Sequence, residues 1–216
     1  VGLEVAVVVV AAALAARGAS WSVKDALVAH DAADAAAHAA ASLTRDPRVS
    51  ATCDVRGNLG PCSVVVQATP GSDWLRDRWQ AASDMGGTAI KGRHWIEVDM
   101  GRDVAASTVV IDWEAAFAEE YVVSARRRRE DPWVRLFDWA TDAARRETVE
   151  AGAASPGVAD REVKLHHVDT LAVDDGVEFR YLRLDVARPA RGWGVSVWQI
   201  DVEGVEVAPR RYLRPR

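Results

Sequence analysis

From residue 47 onward the chain alternates apolar and polar side chains with a period of two. In "FRYLRLDV" (179–186), Leu182, Leu184 and Val186 fall on one side, and Arg183 and Asp185 on the other. In "HWIEVDM" (94–100), Ile96 and Val98 oppose Glu97 and Asp99. In "VSVWQIDVEG" (195–204), Trp198, Ile200 and Val202 oppose Gln199, Asp201 and Glu203. Successive side chains point to opposite faces only in an extended strand, so this period marks strands with one face on a core. Further runs read "RVSATC", "SVVVQA", "STVVIDW", "EYVVSAR", "WVRLFDW" and "EVKLHHV", separated by turn residues and without helical repeats between them. Many short strands at close spacing predict an all-β fold, an antiparallel sandwich or barrel.

The first 46 residues follow other rules. Residues 1–18 carry an apolar run from Val5 to Ala16 followed by "RGAS", the pattern of a signal peptide or signal anchor. The run is short for a membrane span, which needs about twenty apolar residues. A buried Ala/Val helix is the alternative. Residues 19–46 form an Ala-rich helical spacer, with a helix expected over Ser22–Leu43 and a start signal at Ser22 and Asp25. Cys53 and Cys62 flank the turn-rich "DVRGNLGP", and in a secreted chain that spacing suits a disulfide. The expected location is therefore outside the cell or on its surface. The tail, 208–216, is basic.

Net charge is −5, which argues against a nucleic-acid partner, because phosphate binding wants a basic balance or face. The run Arg126–Arg129 is a local exception, followed at once by Glu130 and Asp131, and reads as a solvated loop. Nine Trp stand against three Phe and three Tyr, so the chain has a Trp-lined core, a stacking surface, or both. No catalytic motif is present: no Gly-x-Ser-x-Gly, no phosphate loop, no His-Glu-x-x-His. Asp112 and Glu114 would share one strand face, the one acidic pair that a cleft could use.

Several stretches together resemble the F5/8 type C, or discoidin-like, domain, a group that includes family 32 carbohydrate-binding modules within the galactose-binding-like jelly rolls. Arg78-Trp79 matches its Arg-Trp turn. Trp95, Val98, Asp99 and Gly101 match its Trp-x-x-Val-Asp-Leu-Gly strand. Arg180, Tyr181, Leu182 and Arg183 match its late Arg-Tyr strand, and Trp198, Val202 and Gly204 match its closing strand. The resemblance implies an antiparallel jelly-roll β-sandwich over 47–207 with an N-terminal helical appendage.

It also implies a non-catalytic, lectin-like module that binds glycan or polysaccharide through loops at one end of the sandwich. On that reading Trp193, between two glycines, would stack on a sugar, with Arg191, His94, Glu114 and Trp139 as further ligand-binding candidates. A structural calcium would draw on Asp73, Asp77 and Gln199, the last standing where the group places a Glu. Two alternatives remain open. One is an adhesion version of the fold that binds a cell-surface protein or a lipid; the other is a small carbohydrate-active enzyme using Asp112 and Glu114. Apart from an N-terminal anchor, no membrane contact is expected.

Overall fold

The computed structural model describes residues 42–71, 73–81, 92–154, 163–190 and 194–208, without the side chains of 149–154 and 163–166. The expected signal segment, nearly all of the Ala-rich helix and the tail beyond 208 lie outside the described residues. Among the described residues nine strands follow in order: β1 (Ser50–Cys53), β2 (Trp79–Gln80), β3 (His94–Glu114), β4 (Ala118–Arg126), β5 (Val134–Asp138), β6 (Arg146–Ala154), β7 (Val163–Ala172), β8 (Glu178–Pro189) and β9 (Ser196–Glu206). All pairings are antiparallel.

The registers resolve two layers that share one strand. The first half of β3 pairs with β1 and β8, and β8 continues through β4 to β5. The second half of β3 pairs with β9 and β7, which continue to β2 and β6. The strand reverses between them. His94 pairs with Val186 and Val186 with Tyr121, so the start of β3 lies level with the start of β4. Only Ala115–Phe117 separate Glu114 from β4, and three residues span about 10 Å at most. Both ends of β3 therefore lie at the same end of a face-to-face sandwich.

Two irregularities make the reversal. From Asp99 to Val104, β3 advances five residues while β8 moves two, from Tyr181 to Phe179. Gly101 sits in this excess at φ +68°, and a Cβ there would meet the Arg48 carbonyl oxygen at 2.6 Å. A bulge at Ser107 follows, where Ala106 faces Gly204 but Thr108 already faces Glu203. The bulge switches the inward set from even to odd positions. Ile96, Val98 and Met100 are buried before it, and Val109, Ile111 and Trp113 after it. These pack with Leu182, Leu184, Val186, Val123 and Phe137 in one core.

Two expectations change. "SVVVQA" is no strand: Cys62–Val66 coil as a 3-10 helix after Pro61, because Val64, Val65 and Val66 are all buried and a one-sided strand would expose the middle one. The polar side of β9 is not solvated either. Gln199 and Asp201 are 4% and 7% exposed, covered by Cys62–Val66 and by a second 3-10 turn, Leu43–Arg45. Residues of the expected spacer thus pack on the sandwich, where the Thr44 hydroxyl donates to the Ile200 carbonyl at 3.0 Å and Arg45 pairs with Asp201 at 2.5 Å.

A buried carboxylate ties the layers together. Asp169 on β7 is fully buried and accepts from Trp113 Nε1 (3.0 Å), the Tyr121 hydroxyl (2.6 Å) and the Thr148 hydroxyl (2.5 Å), with His167 Nε2 at 3.4 Å. Tyr121 reaches it from the opposite layer. Burial alone pushes the Asp169 carboxyl up, but bonds from His167, Thr148 and Tyr121 outweigh it and hold the group below the usual carboxylate range. Burial and the Asp169 charge push the Tyr121 phenol up.

Truncating Asp169 leaves the Trp113 and Tyr121 donors buried without an acceptor, so Asp169→Ala is expected to cost about 3–5 kcal/mol in urea unfolding. A depressed carboxylate contributes stability above its unfolded value of about 4 and loses it as pH falls through the folded value. Asp169→Asn is therefore expected to flatten the loss of stability between about pH 5 and pH 2 seen in the parent chain.

Candidate functional site

The end of the sandwich where β3 starts and finishes gathers the long connections. Cys53 closes β1 and is disulfide-bonded to Cys62, which pins the loop 54–61. That loop lies along the turn before β2: Leu59 N–H donates to the Leu75 carbonyl at 3.2 Å, and Asn58 Nδ2 donates to the carbonyls of Leu75 and Arg78. Trp79 Nε1 donates to the Val55 carbonyl at 3.1 Å, with the indole itself in the core. The two loops therefore form one supported platform.

Trp74 stands on that platform, 52% exposed, and Leu59, Leu75 and Val55 are exposed with it. Such a ring would swing freely without a brace. Arg78 provides the brace: its guanidinium lies 4.0 Å from the Trp74 ring centroid, and Nε donates to the Trp74 carbonyl at 2.7 Å. Arg78 is itself buried and donates to the Ser196 hydroxyl at the start of β9. Burial lowers the Arg78 pKa, opposed by the charge of Glu114. One face of the indole is thus backed by a guanidinium anchored to the sheet, and the remainder is open.

The other expected residues distribute around this end. His94 Nδ1 lies 2.8 Å from Asp54 Oδ2, and the second Asp54 oxygen accepts from the Trp95 N–H at 3.1 Å. Burial raises the Asp54 pKa, but the hydrogen bonds prevail and the carboxyl is held low. Glu114 accepts from the Ala116 N–H at 2.8 Å and supplies the charge felt by Arg78. Trp139 follows β5 and packs on the core, with its backbone N–H on the Tyr121 carbonyl, level with Val186 and His94, and Arg146 6.0 Å from its ring. Arg191 and Trp193 lie outside the described residues. The residues flanking them anchor at this end: Ala190 N–H donates to the Phe117 carbonyl, and Ser196 N–H to Ala116.

Of the expected calcium ligands, Gln199 is engaged by protein groups. Its Oε1 accepts from Arg45 Nη1 at 2.5 Å and its Nε2 donates to the Val64 carbonyl at 3.1 Å, so a guanidinium stands at the oxygen a cation would need. Asp73 and Asp77 share one turn, where the Asp77 carboxylate accepts the Asp73 N–H at 2.8 Å. Calcium takes six to eight oxygens, backbone carbonyls among them, and the Asp73 carbonyl of this turn already accepts the Arg76 and Asp77 N–H groups. Among the described residues no cluster of three or more His, Cys, Asp or Glu is arranged to hold a metal.

No protein-family model matches the sequence, and no curated protein matches it. Solved structures do match. Chitosan-binding module 1 of a chitosanase/glucanase from Paenibacillus sp. IK-5 is similar over 76% of this chain and 98% of the module, at 18% identity and a TM-score of 0.51. The family 32 module of C. perfringens NanJ, solved in complex with galactose, is similar over 75% of this chain and 97% of that one, at 12% identity and a TM-score of 0.50. The fold is the discoidin-like jelly roll. Its neighbours are carbohydrate-binding modules.

Trp74 escaped the sequence reading because the Arg-Trp element drew attention to Trp79, the indole that is buried. The signal was present: Trp74-Leu75 is an apolar pair inside the turn-rich "GSDWLRDR", where no strand alternation would bury it. Reducing the disulfide, which joins cysteines nine positions apart, is expected to lower stability by about 2–3 kcal/mol. Differential scanning calorimetry with and without reductant, repeated on Cys53→Ser/Cys62→Ser, measures it.

Proposed function

We propose that the jelly roll is a non-catalytic carbohydrate-binding module that takes a glycan at the loop end, with Trp74 as its stacking ring. The carrying observation is that indole, half exposed and held flat by a buried arginine. A pyranose ring presents an apolar face of C–H groups and a rim of hydroxyls, and it is met by an aromatic plane with polar groups at its edge. Asp54, His94 and Glu114 supply polar groups at the same end. The likeness to chitosan-binding and family 32 modules supports the same reading at the level of fold. A disulfide in the supporting loop favours a secreted or surface location.

A second reading has its own observation. Leu59, Leu75 and Val55 on the same pair of loops are exposed aliphatic side chains, which suit a protein or lipid partner better than a sugar rim.

A glycan array probed with the full chain separates the two. Binding to a defined set of glycans, weakened about tenfold in Trp74→Ala, is the expected result, since one stacked ring contributes on the order of 1 kcal/mol. A folded chain that binds no glycan, or a Trp74→Ala variant with undiminished binding, overturns the proposal.

A further inference from the structure

The outer face of the first layer carries an unusual covering. Its outward positions are Trp95, Glu97 and Asp99 on β3, Tyr181, Arg183 and Asp185 on β8, and Ser124 and Arg126 on β4. Rings and guanidinium groups interleave across it. Arg183 lies 4.5 Å from the Trp95 ring and 5.8 Å from that of Trp133, and Arg126 lies 4.1 Å from Trp133 and 5.5 Å from Tyr181. Arg129 and Arg180 follow at 4.9 and 5.2 Å from Tyr181. The strip ends in a cavity of about 360 Å³ lined by Asp103, Arg127, Arg128, Arg129, Arg180 and Tyr181, together with Glu130. The run Arg126–Arg129 is therefore part of a surface, not a plain solvated loop.

The charges on this strip are already paired. Arg126 meets Glu97 at 3.3 Å, Arg127 meets Asp103 at 2.7 Å and Glu178 at 3.0 Å, Arg180 meets Asp99 at 2.7 Å and Arg183 meets Asp185 at 3.0 Å. A polyanion would have to compete with carboxylates already in place, so the face does not suit one. It offers a hydrogen-bonding group instead: Arg129 is 68% exposed and no closer than 3.8 Å to a carboxylate. Tyr181 is buried at 5% exposure beneath these guanidinium groups, so the surface offered to a chain of neutral pyranose units is that of the part-exposed Trp95 and Trp133 rings and of Arg129. From Trp95 to the level of Tyr181 is four residues of strand, roughly 13 Å, more than one sugar ring.

Resting on the carbohydrate reading above, we propose that this aromatic–arginine strip is a second glycan-binding surface, one that holds a neutral polysaccharide chain lying across the first layer. The loop end would take a single sugar or chain end, and the strip the body of a polymer. Two contacts on one polymer act together through effective concentration.

Isothermal titration calorimetry tests it with the full chain and soluble hydroxyethylcellulose, arabinoxylan, galactan and, as an acidic control, polygalacturonate, at low and high salt. The expected result is salt-insensitive binding of a neutral polymer that falls about tenfold in Trp133→Ala and in Arg129→Ala, the scale of one lost ring or donor set. Trp133→Phe, which keeps a ring, is expected to retain most of the affinity, and each variant is checked for an unchanged melting temperature. Three results overturn the strip alone: wild-type affinity in both alanine variants for every polymer the parent binds, binding of polygalacturonate only and only at low salt, or binding abolished by Trp74→Ala and untouched by Trp133→Ala. A parent chain that binds no carbohydrate overturns this proposal and the module reading together.

Discussion

One strand of 21 residues serves both layers of this sandwich, and its reversal at Gly101 is the constraint on which the architecture rests. The backbone there enters the left-handed region, and the Arg48 carbonyl lies where a Cβ would stand. With the bend in place, Ile96 and Val98 of one half face the same core as Ile111 and Trp113 of the other. The loop end follows directly, because a strand that doubles back delivers its first and last residues, His94 and Glu114, to one place. The Ser107 bulge opposite Gly204 completes the fit by exchanging which parity of residue faces inward.

Buried polarity then does what apolar packing cannot: it specifies which surfaces meet. Asp169 admits only an arrangement that brings Trp113 and Tyr121 to it from two layers, since an unpaired buried carboxylate is costly. Arg45 does the same for the outer side of β9, satisfying Gln199 and Asp201 beneath the Leu43–Arg45 turn. Arg78 joins the loop end to the sheet through Ser196 and at once backs the exposed Trp74. The same guanidinium chemistry recurs on the outer face, where Arg126 and Arg183 lie between rings. Arginine suits all of these places because its plane stacks on aromatics while its edge donates.

Period-two alternation was enough to read an all-β sandwich, and most strand positions with it, because a strand with one buried face leaves that mark wherever it occurs. It failed at Val64–Val66, where three consecutive valines are buried and the chain coils as a 3-10 turn beneath β9. It also read "HWIEVDM" and "STVVIDW" as two strands, since nothing in Gly101 or Ser107 distinguishes a bend within a strand from a turn between two. The Cys53–Cys62 bond was legible from spacing and context. The roles of the tryptophans were not, because nine indoles look alike in a sequence and only neighbours distinguish core from surface.

By itself, then, the sequence determined the fold class, the disulfide and the discoidin-like pattern, all of which depend on local periodicity or on residues a few positions apart. Only the tertiary structure decided that Trp79 is buried while Trp74, five residues earlier, is presented, and that Gln199 accepts from Arg45. It alone placed Arg126 against the rings of Trp133 and Tyr181, and Arg129 against that of Tyr181. These outcomes depend on contacts between residues distant in the chain: Arg78 with Ser196, Arg45 with Gln199, Arg126 with Tyr181. No local pattern encodes such pairs, since each exists only when the fold has brought its partners together.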